Sequence, residues 1–103
     1  MFNSLKEIKF KDGTICPIGS NVYWKPDDKE IYRSSAYIVA NGEEKKISHI
    51  AAAKALDIPI PDHDQIEEWV YDSVCDSIMG ETVEPDGIDE HNSPSWLIAL
   101  GLI

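Results

Sequence analysis

The stretch IYRSSAYIVANGEEKKI, residues 31–47, decides the fold class of this 103-residue chain. Residues 31–40 are rich in β-branched and aromatic side chains and predict a long strand. Asn41-Gly42 is the strongest turn signal of the chain. Residues 43–47 predict the returning strand, so the segment folds as an antiparallel hairpin.

The segments around this hairpin complete a sheet and then a set of helices. Upstream, residues 7–10 and 14–18 predict a first hairpin, and residues 22–25 predict a strand that turns at Pro26-Asp27-Asp28. Downstream, prolines 59 and 61 separate two helices. We predict one α+β domain over residues 1–103. Residues 1–47 form a β meander, whose small antiparallel sheet lies in 5–47. The sheet packs against two or three helices of the strongly acidic half, 48–103. These helices lie at about 48–57, 62–79 and 94–100.

The segment 62–79 carries the clearest helical periodicity. One side of its helical wheel is apolar and predicts a stripe that faces the core, formed by Ile66, Trp69, Val70, Val74 and Ile78. Gly80 predicts the end of the helix. The opposite side is acidic, with a carboxylate at every fourth residue, at Asp64, Glu68, Asp72 and Asp76. Cys75 falls on that acidic side, where carboxylates disfavour its thiolate, so we predict an inert cysteine.

Charge is divided unevenly along the chain. Residues 1–54 hold nine Lys or Arg and seven acids, a charge of +2, whereas residues 55–103 hold twelve acids and neither Lys nor Arg, a charge of −12. A one-signed surface repels nucleic acid and attracts a basic partner over a long range. The alternative cause is the solubility of an acidic protein.

The acidic row of the predicted helix is costly, because like charges at i,i+4 destabilise a helix by about 0.2–0.5 kcal/mol per pair. The carboxylates rise about 6 Å per step, close to the phosphate spacing along one nucleic-acid strand. Acids that follow the helix could extend the row, at Glu81, Glu84, Asp86, Asp89 and Glu90. We predict that these nine acids bind a partner, and the alternative is a merely solvated helix face.

The sequence lacks the motifs of an enzyme or a metalloprotein. Phosphate-binding glycine loops, dinucleotide fingerprints and nucleophile elbows are absent, so we predict neither catalysis nor a cofactor. The three histidines lie in separate segments, and Cys16 and Cys75 do not form a CxxC pair, which predicts no metal site and reduced thiols. The longest apolar stretch, 96–103, is too short to span a bilayer, and no leader is recognisable. We expect a cytoplasmic protein without membrane contact.

Two segments resemble nucleic-acid-binding domains. Residues 50–58, followed by Ile66 and Trp69, resemble the first helix and turn of a helix-turn-helix, with Asp57 where that family usually has glycine and an acidic helix after it. Residues 22–56 are similar to the three-stranded sheet and helix of AP2-type and integrase arm-type domains. That similarity implies an alternative function, a nucleic-acid-binding sheet with basic and stacking groups at Lys25, Lys29, Arg33, Lys45, Lys46, Tyr23, Trp24 and Tyr32. Otherwise we expect no direct contact with nucleic acid.

In size, acidity and lack of catalytic residues the chain is similar in character to small phage-encoded inhibitors that mimic DNA, such as anti-restriction and anti-CRISPR proteins. That similarity implies an inhibitor in the host cytoplasm that docks its acidic face on a basic site of a host nucleic-acid-binding protein. A third class of function comes from residues 96–103, which are largely apolar. They predict either core packing against Trp69, Val70 and Val74, or an interface with a second copy or an assembly partner.

Overall fold

The computed structural model describes residues 2–27 and 33–103. Its elements run along the chain as β1 (Phe2–Asn3), β2 (Ile8–Lys9), β3 (Ile15–Cys16), β4 (Asn21–Pro26), β5 (Ser34–Ala40), β6 (Glu43–Ile47), α1 (His49–Ala55), α2 (His63–Asp72), β7 (Cys75–Asp76), β8 (Thr82–Val83) and α3 (Trp96–Ala99). The predicted α+β fold is confirmed. No helix in the described ranges is long and apolar enough to cross a membrane.

The main sheet has four antiparallel strands in the order β1-β4-β5-β6. Its hairpin between β5 and β6 turns at Asn41 and Gly42, as predicted, and these residues adopt positive φ of 54° and 80°. The predicted strand over 31–40 is described only from residue 33 onward, and it begins at Ser34; its first two positions, like part of the turn at 26–28, lie outside the described residues. The predicted first hairpin is confirmed as β2 paired with β3, in a sheet of its own.

Helix α1 packs on β4 and β5 and covers one face of the main sheet. Ser48 caps it, because the Ser48 hydroxyl accepts a hydrogen bond from the Ala51 N–H at 3.0 Å. Small side chains on the helix let its backbone approach the larger side chains of the sheet. The buried residues at this contact are Val22, Trp24, Ala36, Ile38, Ala52, Ala53 and Ala55.

Helix α2 is shorter than the sequence predicts, and the prediction of a helix over 62–79 is wrong beyond Asp72. Ser73 adopts the left-handed conformation with φ of 59°, and the chain then enters β7, which pairs with β8. Serine, valine, cysteine and aspartate are weak helix formers, so residues 73–77 gain more from pairing as a strand than from another helical turn. Gly80 therefore does not end the helix.

The last predicted helix, at about 94–100, is present as α3, and it begins at Trp96 instead of Pro94. Ser95 is the cap, and its hydroxyl accepts from the Ile98 N–H at 3.2 Å. Trp96 and Leu97 are buried in the core. The predicted core packing of 96–103 therefore holds for Trp96 and Leu97, and Ala99 and Leu100 pack half-buried against the core, whereas residues 102 and 103 are 53% and 60% exposed.

Candidate protein-binding surface

The solvent side of α2 and the turn after it expose three large side chains, and the sequence analysis placed two of them, Val70 and Val74, in the core. Tyr71 is 89% exposed, Val70 is 61% exposed and Val74, just beyond the helix, is 45% exposed. The helix is held to the domain from its other side by Trp69, which is buried, and Ile66, which is half-buried against the core. The predicted core role of the two valines is therefore wrong, because the chain leaves the helix after Asp72 instead of continuing the apolar stripe.

Carboxylates surround this exposed apolar group on the same helix. Asp64, Glu68 and Asp72 are exposed at successive i,i+4 positions, so three members of the predicted row stay together on α2. Glu67 is also exposed, and its carboxylate lies 2.9 Å from His63 Nε2. The three-residue row spans about 12 Å at 1.5 Å per residue.

Asp76, the fourth member of the predicted row, is separated from the other three. It lies in β7, is half-buried, and lines a groove together with the N-terminal part of α2. The prediction that Asp76 continues the helical row is wrong, because the helix ends one turn before it. The acids after the helix are also divided: Glu84, Asp86 and Glu90 are exposed, and Glu81 is half-buried.

Asp89 is buried and organises the segment that follows β8. Its Oδ2 accepts from the Ser77 hydroxyl at 2.6 Å, and its Oδ1 accepts from the N–H groups of His91 and Ser93 at 2.8 and 3.0 Å. The Ser77 hydroxyl in turn accepts from the Glu81 N–H at 3.1 Å. The carboxylate of Asp89 is thus used within the fold, and its side chain is only 8% exposed.

This network brings Glu81 close to the adjacent residues Glu90 and His91, from which the sequence separates it. One ligand atom from each residue lies within 4.8 Å of the others. His91 Nε2 is 3.8 Å from Glu81 Oε1 and 3.6 Å from Glu90 Oε1. A hydrogen bond with the Glu90 side chain raises the pKa of Glu81, because two adjacent carboxylates share a proton more readily than they carry two charges. This donor set is of the kind that can hold a divalent cation.

The solvent face of the main sheet presents two stacked tyrosines. The rings of Tyr23 and Tyr37 lie 5.9 Å apart, and Lys25 Nζ lies 4.5 Å from the centre of the Tyr37 ring. Glu44 neutralises this face, because it contacts Lys25 Nζ at 2.7 Å and accepts a hydrogen bond from the Tyr23 hydroxyl.

The other predicted groups of the basic sheet lie in different surroundings. Trp24 is buried, and its Nε1 donates to His49 Nδ1 at 3.2 Å, so its assignment as a stacking group is wrong. Lys45 faces Asp12 at 3.4 Å and the Phe10 ring at 5.2 Å, whereas Lys46 and Arg33 are exposed. Lys29 and Tyr32 lie outside the described residues.

No known protein family, curated protein or solved structure matches this chain. Function is therefore inferred from the geometry of the chain itself. Asp57, in the turn after α1, adopts the left-handed conformation with φ of 57°. The helix after that turn is α2, and its exposed carboxylates oppose contact with phosphates.

The sequence reasoning missed Tyr71 as a surface residue of functional interest. On a helical wheel Tyr71 falls between Glu67 and Glu68, on the acidic side, and this position is the signal that could have indicated it. An aromatic residue on a charged helix face contributes little to the fold. Aromatic residues are, however, enriched at the centres of protein interfaces.

Proposed function

We propose that this chain is a non-enzymatic binding protein whose α2 surface docks on a basic surface of another protein. The α2 surface consists of Val70, Tyr71 and Val74 with the surrounding acids Asp64, Glu67, Glu68 and Asp72. The observation that carries the proposal is the exposure of Tyr71, 89%, within a half of the chain that holds twelve acids and no Lys or Arg.

The energetics of this surface favour docking over simple solvation. Burying an apolar side chain fully contributes about 1.5–3 kcal/mol. A partner that covers the exposed side chains of Val70 and Tyr71 would therefore gain binding free energy from their burial. Interfaces commonly place an aromatic anchor at the centre and polar groups at the rim, where they steer association. The α2 surface has this arrangement, and the sign of its rim selects a positively charged partner.

Proteins that bind nucleic acid are the class with the most extensive basic surfaces, so we propose a partner of that class. The row formed by Asp64, Glu68 and Asp72 supports a finer proposal, in which the acids occupy positions that phosphates take on the partner. In that case the chain acts as an inhibitor, as the similarity in character to phage-encoded DNA mimics implies. Nucleic acid and this chain would then compete for one site on the partner.

A pull-down from cell lysate with quantitative mass spectrometry tests the proposal through matched variants. The double variant Val70→Ala/Tyr71→Ala should lose at least tenfold of the captured partner, which corresponds to about 1.4 kcal/mol or more at the anchor. Leu5→Ala is its control, because Leu5 is as exposed as Val70, 61% each. Capture should also fall with Glu68→Lys and stay unchanged with Glu7→Lys, an exposed acid outside the α2 surface.

Three results would contradict parts of this proposal. Equal capture by the double variant and by Leu5→Ala would exclude the α2 surface. An association rate that is flat between low and high salt would exclude electrostatic steering, because the Debye length falls from about 10 Å at 0.1 M to about 3 Å at 1 M. Partner binding that added DNA or RNA does not reduce would exclude mimicry and leave the binding function.

A second candidate function is a nucleic-acid-binding module on the main sheet, favoured by the stacked pair Tyr23 and Tyr37. Bases stack on aromatic side chains, and lysines contact the phosphates. Retention on heparin that Lys46→Glu abolishes would favour this candidate. Retention on an anion exchanger only, with none on heparin, favours the α2 surface.

A further inference from the structure

A groove of about 410 Å³ lies beside the α2 surface, between the start of α2, the strand β7 and helix α3. Its walls combine prolines, tryptophans and carboxylates. The lining residues are Pro59, Ile60, Pro61, Asp62, Gln65, Trp69, Asp76 and Trp96. The groove is open to solvent along one side, so a side chain of another molecule can enter it without a movement of the backbone.

The charged groups of the groove are of one sign. Asp62 caps α2, because its Oδ1 accepts from the Gln65 N–H at 2.9 Å, and the Asp76 carboxylate has no hydrogen bond or ion pair within residues 2–27 and 33–103. Asp76 is half-buried and lines the groove. The lining contains neither Lys nor Arg. The groove therefore complements a cation.

The shape and composition of the groove distinguish between kinds of cation. Within the described residues, no group of three or more close ligand residues includes Asp62 or Asp76. The groove therefore offers too few ligands for a bare metal ion. Pro59 and Ile60 are exposed and suit the alkyl stem of a long side chain, whereas Trp69 and Trp96 are 8% and 4% exposed and add little surface to the groove. A guanidinium has five N–H donors in a rigid fork and can reach carboxylates on two walls.

We propose that this groove receives an arginine side chain of the basic protein that docks on the α2 surface. This inference rests on the proposed function and names the chemical group that the partner presents. On a helical wheel at about 100° per residue, Glu68 and Asp72 lie between the groove side of α2 and Tyr71. Glu68 and Asp72 therefore connect the two places around the helix, with the apolar anchor Tyr71 on one side of these acids and the arginine pocket on the other.

The groove can be tested with a short peptide and without the partner. The probe is acetyl-Gly-Arg-Gly-amide, and the readout is the shift of the tryptophan indole N–H signals in proton–nitrogen correlation spectra. The signals of Trp69 and Trp96 should shift and saturate at millimolar peptide. Trp24 is the internal control, because its indole N–H is buried away from the groove and donates to His49. The peptide with citrulline in place of arginine, which keeps the shape and removes the charge, should give no saturable shift.

Two variants assign the binding to the groove. Asp76→Asn should weaken the arginine peptide about tenfold, since a charge-assisted contact becomes a neutral one. Asp86→Asn removes the same charge from an exposed site and should leave the affinity unchanged. Trp24 and backbone signals that stay in place show that Asp76→Asn is folded. Equal shifts with arginine and citrulline, or equal affinities of the two variants, would overturn the proposal.

The outcome is separable from that of the proposed function. The variant Val70→Ala/Tyr71→Ala should bind the arginine peptide as the natural chain does, because it leaves the groove residues unchanged. If the groove binds the peptide but replacing Tyr71 leaves partner capture unchanged, the α2 surface alone would be refuted. If partner capture depends on Tyr71 but the groove does not bind the peptide, the arginine pocket alone would be refuted.

Discussion

Replacing Asp89 with alanine should destabilise the whole domain, although the change removes one acid from a chain of charge −10. The Asp89 carboxylate accepts hydrogen bonds from the Ser77 hydroxyl and from the N–H groups of His91 and Ser93. Ser77 and Ser93 are fully buried, so water cannot replace the lost acceptor at these positions.

The magnitude follows from the number of donors that lose their acceptor. An unsatisfied buried donor costs about 1–3 kcal/mol, and the three losses share one site, so we expect about 3–5 kcal/mol in total for Asp89→Ala. That corresponds to a fall in Tm of about 20 °C for a domain of this size. Asp89→Asn should cost about 1 kcal/mol, because its amide oxygen still accepts from the two backbone N–H groups while the Ser77 hydroxyl turns to accept.

Differential scanning calorimetry and urea unfolding measure this loss against a matched control. Asp86→Ala removes the same charge from an exposed position of the same segment and should stay within about 0.5 kcal/mol of the natural chain. Should Asp89→Ala and Asp86→Ala melt within about 2 °C of each other, the buried network would not stabilise the fold and the reasoning would be refuted.

Two further outcomes are expected. Burial lowers the pKa of His49 below its usual 6.5, so the folded state favours the neutral ring that accepts from Trp24, and the free energy of unfolding should be full above pH 6.5 and decrease as the pH falls below it. His49→Gln accepts the same hydrogen bond without titrating, so it should flatten this pH dependence in urea unfolding. An unchanged slope would contradict the prediction. Leu97→Ala should lower the free energy of unfolding by about 3 kcal/mol because Leu97 is fully buried, whereas Leu102→Ala should change it by less than about 0.5 kcal/mol. Equal losses of Tm for the two variants would contradict this prediction, because they would show that Leu102 is packed as well as Leu97.

The main hairpin could be predicted from the sequence because its determinants are local. Asn41-Gly42 fixes the turn, and the strands on both sides need only pair with their neighbours in sequence. Strand β1 escaped prediction for the opposite reason: two residues at Phe2–Asn3 pair with β4, some 20 positions away, and the turn between them belongs to the separate hairpin of β2 and β3. Such pairing depends on closing a long loop, which sequence patterns do not encode.

The candidate site was predictable only in part, and its errors come from the end of α2. Apolar residues at Ile66, Val70, Val74 and Ile78 repeat every four positions, and this pattern fits a long helix whether or not the backbone continues as one. The weak helix formers after Asp72 decided the outcome. Burial of Asp89 likewise depends on donors up to twelve residues away, which meet only after the segment has folded back.

The two cysteines are buried and not disulfide-bonded, and each lies in a different half of the sequence. Cys16 is in β3, where burial raises the pKa of its thiol, and Cys75 is in β7, beside α2. A buried thiol reacts with an alkylating reagent only when its surroundings open, so the two labelling rates report separately on breathing of the N-terminal strands and of the acidic C-terminal region. The protein thus contains two natural reporters of local opening, and a bound partner on α2 would slow the second while leaving the first unchanged.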